Sequence, residues 1–427
     1  MQNCNNITQL DSGVLSDRRW NKDEVKPLLM HSVHVYPAKF PPLIAEEAFR
    51  YAEEQNVRCD KVADIFCGCG TVALEAKKRG VSFWGCDINP VAVLIAKAKT
   101  NAYNEKKLTI YNDAVGLAYK ELIESDVFAA CNDNAPDRLK YWFTSDSYRH
   151  LYCLKKAIER EVKDENYLTA YYCIFSSILK SSSKWLQKSI KPQIDPQKKE
   201  IDIKNIFDSQ VRKFIKAVNE ISAIGQVNSR VDIQQGDFLH YGGKDKVNLI
   251  VTSPPYVTSY EYADLHQLTS LWLNYTDDYR ELRNGSIGST YNSADVNLET
   301  IPLNTTGNSI IAELKEKNVQ LSRIKAIARY YSDMERVIGK CADMMQKDGM
   351  AIFVIGDSEL KGVKLFNSKH LVECLFSKGF SDIKIGKRTI EKSMCVPYRN
   401  AKGRFTKRCS SNNEIYHEEY VISGRIK

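Results

Sequence analysis

The chain has 427 residues, 43% hydrophobic and 27% charged, an ordinary globular make-up that excludes a low-complexity, collagenous or largely disordered protein. Lysine and arginine outnumber aspartate and glutamate by 61 to 53, and the net charge of +8 suits a polyanionic partner without requiring one. Its apolar runs are too short to cross a bilayer and its first residues are polar, unlike a signal peptide, so the expected location is cytoplasmic with no membrane partner.

In chain order, residues 1–30 read as a polar lead-in. Prolines at 37, 41 and 42 hold the chain extended and then permit a helix start, and Leu43, Ile44, Ala48 and Phe49 recur at helical spacing up to residue 52. A lone His34 or Lys39 is ordinarily structural or solvated, but both stand just ahead of the next motif. Lys61-Val-Ala-Asp-Ile-Phe-Cys-Gly-Cys-Gly-Thr predicts a strand, a glycine turn and a helix over 71–79, after which 81–87 predicts a strand closing on an acid and 90–101 an alanine-rich helix. Strand, helix, strand, helix in this order is the doubly wound α/β pattern. Glycines at 68 and 70 let the backbone approach a ligand where a Cβ would obstruct it. An acid about twenty residues on, Asp87, can grip two ribose hydroxyls.

Between 104 and 229 the pattern changes: 151–162, 167–179 and 206–224 have helical spacing, with a basic, serine-rich link between the last two, and together read as a helical insertion. Its lysines are ordinarily a solvated face, and beside a polyanion they would wall the cleft. The α/β pattern resumes with a short strand ending on Asp237 and continues into Val247-Asn-Leu-Ile-Val-Thr-Ser-Pro-Pro-Tyr. There a buried strand must end at Thr252 and give way to a rigid loop, because prolines lack N–H donors and hold φ near about −65°. The loop's carbonyls are left to accept from an amino group on a flat ring, with Tyr256 as stacking face; the bland alternative is a strand followed by an ordinary turn. Beyond it lie a polar stretch at 277–307, a long helix ending near 346, a strand at 350–355, a helix over 368–378, a strand around 383, a basic loop at 396–408 and a terminal strand near 419–423. Twelve cysteines without secretory features read as reduced thiols, and no ligand spacing accompanies Cys67 and Cys69, so no metal is expected.

Phe66-x-Gly68-x-Gly70, followed far downstream by Ser253-Pro254-Pro255-Tyr256, resembles the motif pair of the amino-methylating DNA methyltransferases, and the serine variant resembles their cytosine-N4-specific branch. Tyr36-Pro-Ala-Lys39-Phe40-Pro-Pro looks like the family's N-terminal cofactor motif, and Asp87-Ile-Asn89-Pro and Gly236-Asp237 also fit; together these cover roughly half the chain. The resemblance implies a class I, Rossmann-like methyltransferase sheet, mostly parallel with an antiparallel terminal strand, plus a helical insertion. It implies S-adenosylmethionine as cofactor and double-stranded DNA as partner, with a role in restriction–modification or host and phage defence and a restriction endonuclease that would act separately. It divides the chain into a lead-in at 1–30, a cofactor-binding half at 31–103, the insertion at 104–229 as a target-recognition region, and a catalytic half at 230–427 with a polar insert at 277–307.

Carried over residue by residue, the resemblance assigns cofactor binding to Lys39, Phe40, Asp64, Phe66, Gly68, Gly70, Thr71, Asp87, Asn89, Asp237 and Phe238. Phe66, Gly68 and Gly70 would wrap the methionine end with support from Asp64, Asp87 would bind the ribose, and Asp237 would receive the adenine amino group beside Phe238. Asp113 is a rival for that last role, and Asp237 is preferred because it precedes the catalytic strand by a short gap. Ser253, Pro254, Pro255 and Tyr256 would be catalytic, the Ser253 hydroxyl and Pro254 carbonyl drawing the amine of a flipped-out cytosine towards a pyramidal nitrogen for direct attack. No cysteine stands in the Pro-Cys context of cytosine-C5 methylation. Glu261 and Asp264 read as base-pocket or surface residues, and Arg399, Lys402, Arg404, Lys407 and Arg408 as phosphate contacts or a solvated loop. The same residues also fit adenine-N6 methylation, an RNA amino-methyltransferase, or a non-catalytic nucleic-acid-binding protein of the same fold.

Overall fold

A computed structural model of the chain describes residues 18–21, 26–132, 135–225, 229–243, 246–257, 261–389, 398–399, 405–406, 413–414 and 418–427. The first helix, α1 (Pro42–Glu54), opens on Pro41 in extended conformation with a second proline in its first turn, where a missing N–H has no intrahelical partner to lose. β1 (Lys61–Asp64), α2 (Thr71–Lys78), β2 (Ser82–Asp87) and α3 (Pro90–Thr100) follow at the expected places. Asn89 caps α3, its side-chain oxygen accepting from the Val91 amide at 2.9 Å.

The insertion is helical: α4 (Glu105–Ile123), α5 (Asp126–Ala130), α6 (Asp137–Trp142), α7 (Ser145–Glu161), α8 (Glu165–Ser182) and α9 (Ile203–Ile224). Asp113 lies mid-way along α4 and is exposed, remote in kind from a strand end. The α/β pattern resumes with β3 (Val231–Gln235) and β4 (Val247–Thr252), then short helices α10 (Tyr262–Leu265) and α11 (Gln267–Trp272). α12 (Thr305–Glu316), α13 (Leu321–Met344) and β5 (Met345–Ile355) come next, with a small hairpin of β6 (Ser358–Leu360) and β7 (Val363–Leu365) leading to α14 (Asn367–Ser377). β8 (Phe380–Thr389), a small sheet of β9 (Tyr398–Arg399), β10 (Phe405–Thr406) and β11 (Asn413–Glu414), and β12 (Glu418–Ile426) complete the described chain.

The main sheet has seven strands in the order β3-β2-β1-β4-β5-β12-β8, parallel from β3 to β5, with β12 antiparallel to both β5 and β8. This is the mostly parallel, doubly wound Rossmann-like α/β sheet with an antiparallel terminal strand that the sequence predicts. The chain moves outward from β1 to β3 on one side and from β4 on the other, so the switch point, where such sheets hold ligands, lies at the C-terminal ends of β1 and β4.

Alternation along the strands feeds two cores. Val62, Leu249, Val251, Ile352 and Val354 face α1, α2 and part of α3, while Ala63, Ile250, Ala351, Phe353 and Ile355 face α12, α13 and α14. A third core joins the insertion helices to Met30 and Val33, to Leu74 of α2, to Val91, Leu94, Ile95 and Ala98 of α3, and to Leu268, Leu271 and Trp272 of α11. The insertion therefore shares its packing with α2 and α3 and does not close a core of its own. Among the described residues no helix is long and apolar enough to cross a membrane.

Candidate active site

At the end of β1, buried Asp64 accepts from the Thr252 hydroxyl at 2.7 Å and from the Phe66 amide at 3.2 Å, both on Oδ1. Burial pushes its carboxyl up to about 7 against the pull of those two donors. The chain then turns through Gly68 (φ 49°) and Gly70 (φ 74°), both in the left-handed region. A Cβ on Gly70 would lie 2.8 Å from the Cα of Ala96, so helix α3 packs directly on the turn. The Thr71 hydroxyl just beyond is buried without a partner.

Asp87, at the end of β2, accepts from the Gly68 amide (2.8 Å) and the Asn89 amide (2.9 Å), one on each oxygen. Burial raises it to about 6. A Cβ on Gly68 would sit 3.7 Å from Tyr36, whose ring stacks on Tyr262 (6.2 Å between centroids) and lies 5.0 Å from His266. Asn89 Nδ2 donates to His266 Nδ1 at 2.7 Å, and burial lowers the imidazole to about 3, so it is neutral with its proton on Nε2.

At the end of β3, Asp237 accepts from the Leu239 amide (2.9 Å) and faces His240 Nδ1 (2.8 Å), while Phe238 is buried against Trp84 and Tyr241. Beyond β4, the Tyr256 phenol donates to Glu419 of β12 at 2.9 Å. Burial, and Glu419 beside it, hold the phenol well above its ordinary range.

The polar stretch at 277–307 is ordered, and it spans these parts. Gly285 reaches Ile88 and Asp237: a Cβ there would be 3.0 Å from Ile88 Cδ1 and 4.0 Å from Asp237 Oδ2. Gly288 lies against the Tyr256 carbonyl and Tyr330, each 3.5 Å from its Cβ position. Two carboxylates clasp this strap. Asp264 accepts twice from the Arg283 guanidinium (3.0 and 2.6 Å), and Glu261 accepts from the Ser289 hydroxyl (3.1 Å) and the Thr290 amide (3.2 Å). Neither reading made of Glu261 and Asp264 from the sequence describes this, because their partners lie 19 to 29 residues away.

Asp64, Phe66, Gly68, Gly70, Thr71, Asp87, Asn89, Ser253 and Pro254 thus lie at or just past the C-terminal ends of β1, β2 and β4, and Asp237 just past that of the edge strand β3. Lys39 donates to the His31 carbonyl at 3.0 Å, and Phe40 packs in the core that holds Ile44 and Val62. Arg399 lies in β9; Lys402, Arg404, Lys407 and Arg408 lie outside the described residues. Tyr36, His266, Arg283, Arg388 and Glu419 are additions. The first two stand in segments whose motifs point here, whereas nothing local marks Arg388 or Glu419.

With this geometry in hand, residues 4–98 match the model of the N6/N4 methyltransferase family, described as DNA methylase. The chain is similar to DNA methylases. The type II methyltransferase M.MvaI of Kocuria varians is 24% identical over 360 residues, which cover 79% of this chain and 79% of that protein. M.MjaII of Methanocaldococcus jannaschii is 27% identical over 174 residues, covering 40% of this chain and 32% of that methyltransferase. The rRNA methyltransferase aviRa of Streptomyces viridochromogenes aligns over 94% of this chain and 90% of its own, with 9% identity and a TM-score of 0.32, a likeness too weak to add to the strand order.

Proposed function

We propose that the protein is a DNA amino-methyltransferase that uses S-adenosylmethionine to methylate the exocyclic N4 amine of cytosine in duplex DNA. The observation that carries this reading is the Thr252–Asp64 bond, which holds the Ser253-Pro-Pro-Tyr loop against the glycine turn at the switch point. Similarity to DNA methylases supports the reaction class, and Ser253 favours cytosine over adenine.

The residues present suit that cofactor. Thr71 has an unpartnered buried hydroxyl, and each Asp87 oxygen accepts only one bond and can take another. Phe66, Gly68, Gly70 and Thr71 with Asp64 hold the methionine end, Asp87 with Asn89 the ribose, and Asp237 with Phe238 the adenine. His240 is 81% exposed, so an adenine amino group can displace it from Asp237. Bound there, S-adenosylmethionine supplies an electrophilic sulfonium methyl group.

Ser253 Oγ and the Pro254 carbonyl accept from the amine, which localises its lone pair, and Tyr256 offers its face to the base. Extruding a base from a duplex costs a few kcal/mol, which the stacking and phosphate contacts offset. Residues 104–229 and the basic loop around Arg399 are the proposed DNA-facing parts, reading target and backbone respectively.

Unmethylated duplex DNA is incubated with the protein and labelled cofactor, digested to nucleosides and analysed by mass spectrometry. N4-methylcytosine is the expected product, lost in Ser253→Ala. N6-methyladenine would keep the chemistry and reverse the base, while label in RNA alone would overturn the substrate.

A further inference from the structure

Arginines and aromatic rings alternate along the surface that joins the insertion to the strap. Arg138 of α6 lies over Tyr141 (4.9 Å from guanidinium carbon to ring centroid) and over Tyr279 (5.4 Å), and Arg283 lies over Tyr279 (5.8 Å) and Tyr291 (4.1 Å). Both guanidiniums are fixed from a second side: Arg138 Nε donates at 2.8 Å to Oε1 of the fully buried Gln267, and Arg283 is gripped by Asp264.

Tyr291 ends this series on the strap. Its amide donates to the Ser289 hydroxyl at 3.2 Å, that hydroxyl and the Thr290 amide donate to Glu261, and Asn292 Nδ2 donates to the Arg283 and Ser286 carbonyls at 2.8 and 3.1 Å. The backbone is thus pinned on either side and Arg283 covers one face of the ring, yet the residue is 59% exposed, so the opposite face is held out to solvent. Gly288, just ahead of it, is where the strap meets the carbonyl of Tyr256 in the Pro-Pro loop. Arg283 needs no shield from Tyr291, since Asp264 already neutralises it and Tyr279 flanks it. A ring immobilised in water loses conformational freedom without gaining burial, a loss made good when something flat stacks on its open face.

We propose that Tyr291 is a wedge that enters the duplex where the target base leaves it and stacks on the neighbouring base pairs in the gap. This rests on the reading of the protein as a methyltransferase of duplex DNA. Extrusion breaks the stacking on both sides of the target base, and a ring taking the vacated place restores it. Every base has a π-face, so the wedge serves extrusion and not the choice of sequence. The stacked arginines behind it tie the position of the ring to α6 of the insertion, so the wedge is preformed.

The test uses the full-length protein and two duplexes carrying a target it methylates, one with the target base paired and one with an abasic site opposite it. Tyr291→Ala is expected to lower kcat/KM roughly tenfold to a hundredfold on the paired duplex, the range of one base–aromatic stack, and less than about threefold on the unpaired one. Tyr291→Trp should keep most of the wild-type rate on both, and Kd for the cofactor should change less than about twofold in either variant. With 2-aminopurine in place of the target base, binding by the wild type raises its fluorescence and binding by Tyr291→Ala raises it several-fold less. Equal losses on the two duplexes, wild-type rates on both, or a wild-type 2-aminopurine signal in Tyr291→Ala would overturn the wedge while leaving the enzyme assignment intact. A wild type that transfers no methyl group to DNA would overturn both.

Discussion

The Thr252 hydroxyl donates to the Asp64 carboxylate at 2.7 Å, joining the last residue before the Pro-Pro loop to the acid ahead of the glycine turn. Both side chains are buried, and Asp64 is 3% exposed, so no water can replace either partner. Thr252→Val keeps the shape and leaves Asp64 with one donor fewer. It is expected to lose about 1–3 kcal/mol of stability in urea unfolding and to bind S-adenosylmethionine more weakly, while Thr252→Ser retains most of both.

The two buried acids Asp64 and Asp87 carry a pH dependence of definite sign. Burial raises Asp64 to about 7 and Asp87 to about 6. Between the ordinary carboxylate range and those values the folded protein therefore binds more protons than the unfolded chain, and this contribution to stability is present at low pH and lost as pH rises through 6 to 7. A cationic cofactor favours the ionised acids, so its affinity should run the opposite way and increase over the same window. Calorimetric titration of cofactor from about pH 5.5 to about pH 8 checks this; a flat profile for the wild type would refute it, and Asp87→Asn should flatten the lower part.

The two left-handed glycines separate backbone strain from packing. Gly68→Ala meets Tyr36 only at 3.7 Å, so its cost is the conformational one, about 1–2 kcal/mol. Gly70→Ala adds a contact of 2.8 Å with the Ala96 backbone and should cost about 3 kcal/mol or more, enough to disturb α3 as well. Thermal melts of the two variants give the comparison directly.

The strap across Asp237 and Tyr256 is held at two points, so releasing one should loosen it locally. Arg283→Met removes both donors to Asp264 and also the guanidinium lying 4.1 Å over the Tyr291 ring. Hydrogen exchange is expected to quicken over 284–293, with KM for the cofactor raised several-fold and β-sheet protection unchanged. Unaltered exchange in the strap would mean the Glu261 clasp alone suffices.

Much of this was legible from the chain because its signals are local. The strand ending at Asp64, the turn through Gly68 and Gly70, the acid at Asp87 and the stop at Pro254 each follow from neighbours within a few residues. α4 was less legible, since its buried residues Leu108, Val115, Ala118 and Tyr119 share a helix with exposed Ile110 and Leu117 and blur the period. Long-range pairings were not legible at all. Arg283 finds Asp264 across 19 residues, and Tyr256 finds Glu419 across 163, because strand order and not sequence distance sets them side by side.

The shared core of the insertion limits how the protein can be re-engineered or can have diversified. Leu268, Leu271 and Trp272, a few residues past the Pro-Pro loop, are packed among the same side chains as Leu151, Phe175 and Phe214. Met30 and Val33, ahead of α1, belong to that cluster too. A swap that transplanted 104–229 from a relative would arrive without its counterparts at 30–33 and 268–273, leaving holes and collisions in the shared core. Change in the insertion of this architecture would have to proceed by surface substitutions on fixed helices, or by moving three separated pieces of chain at once.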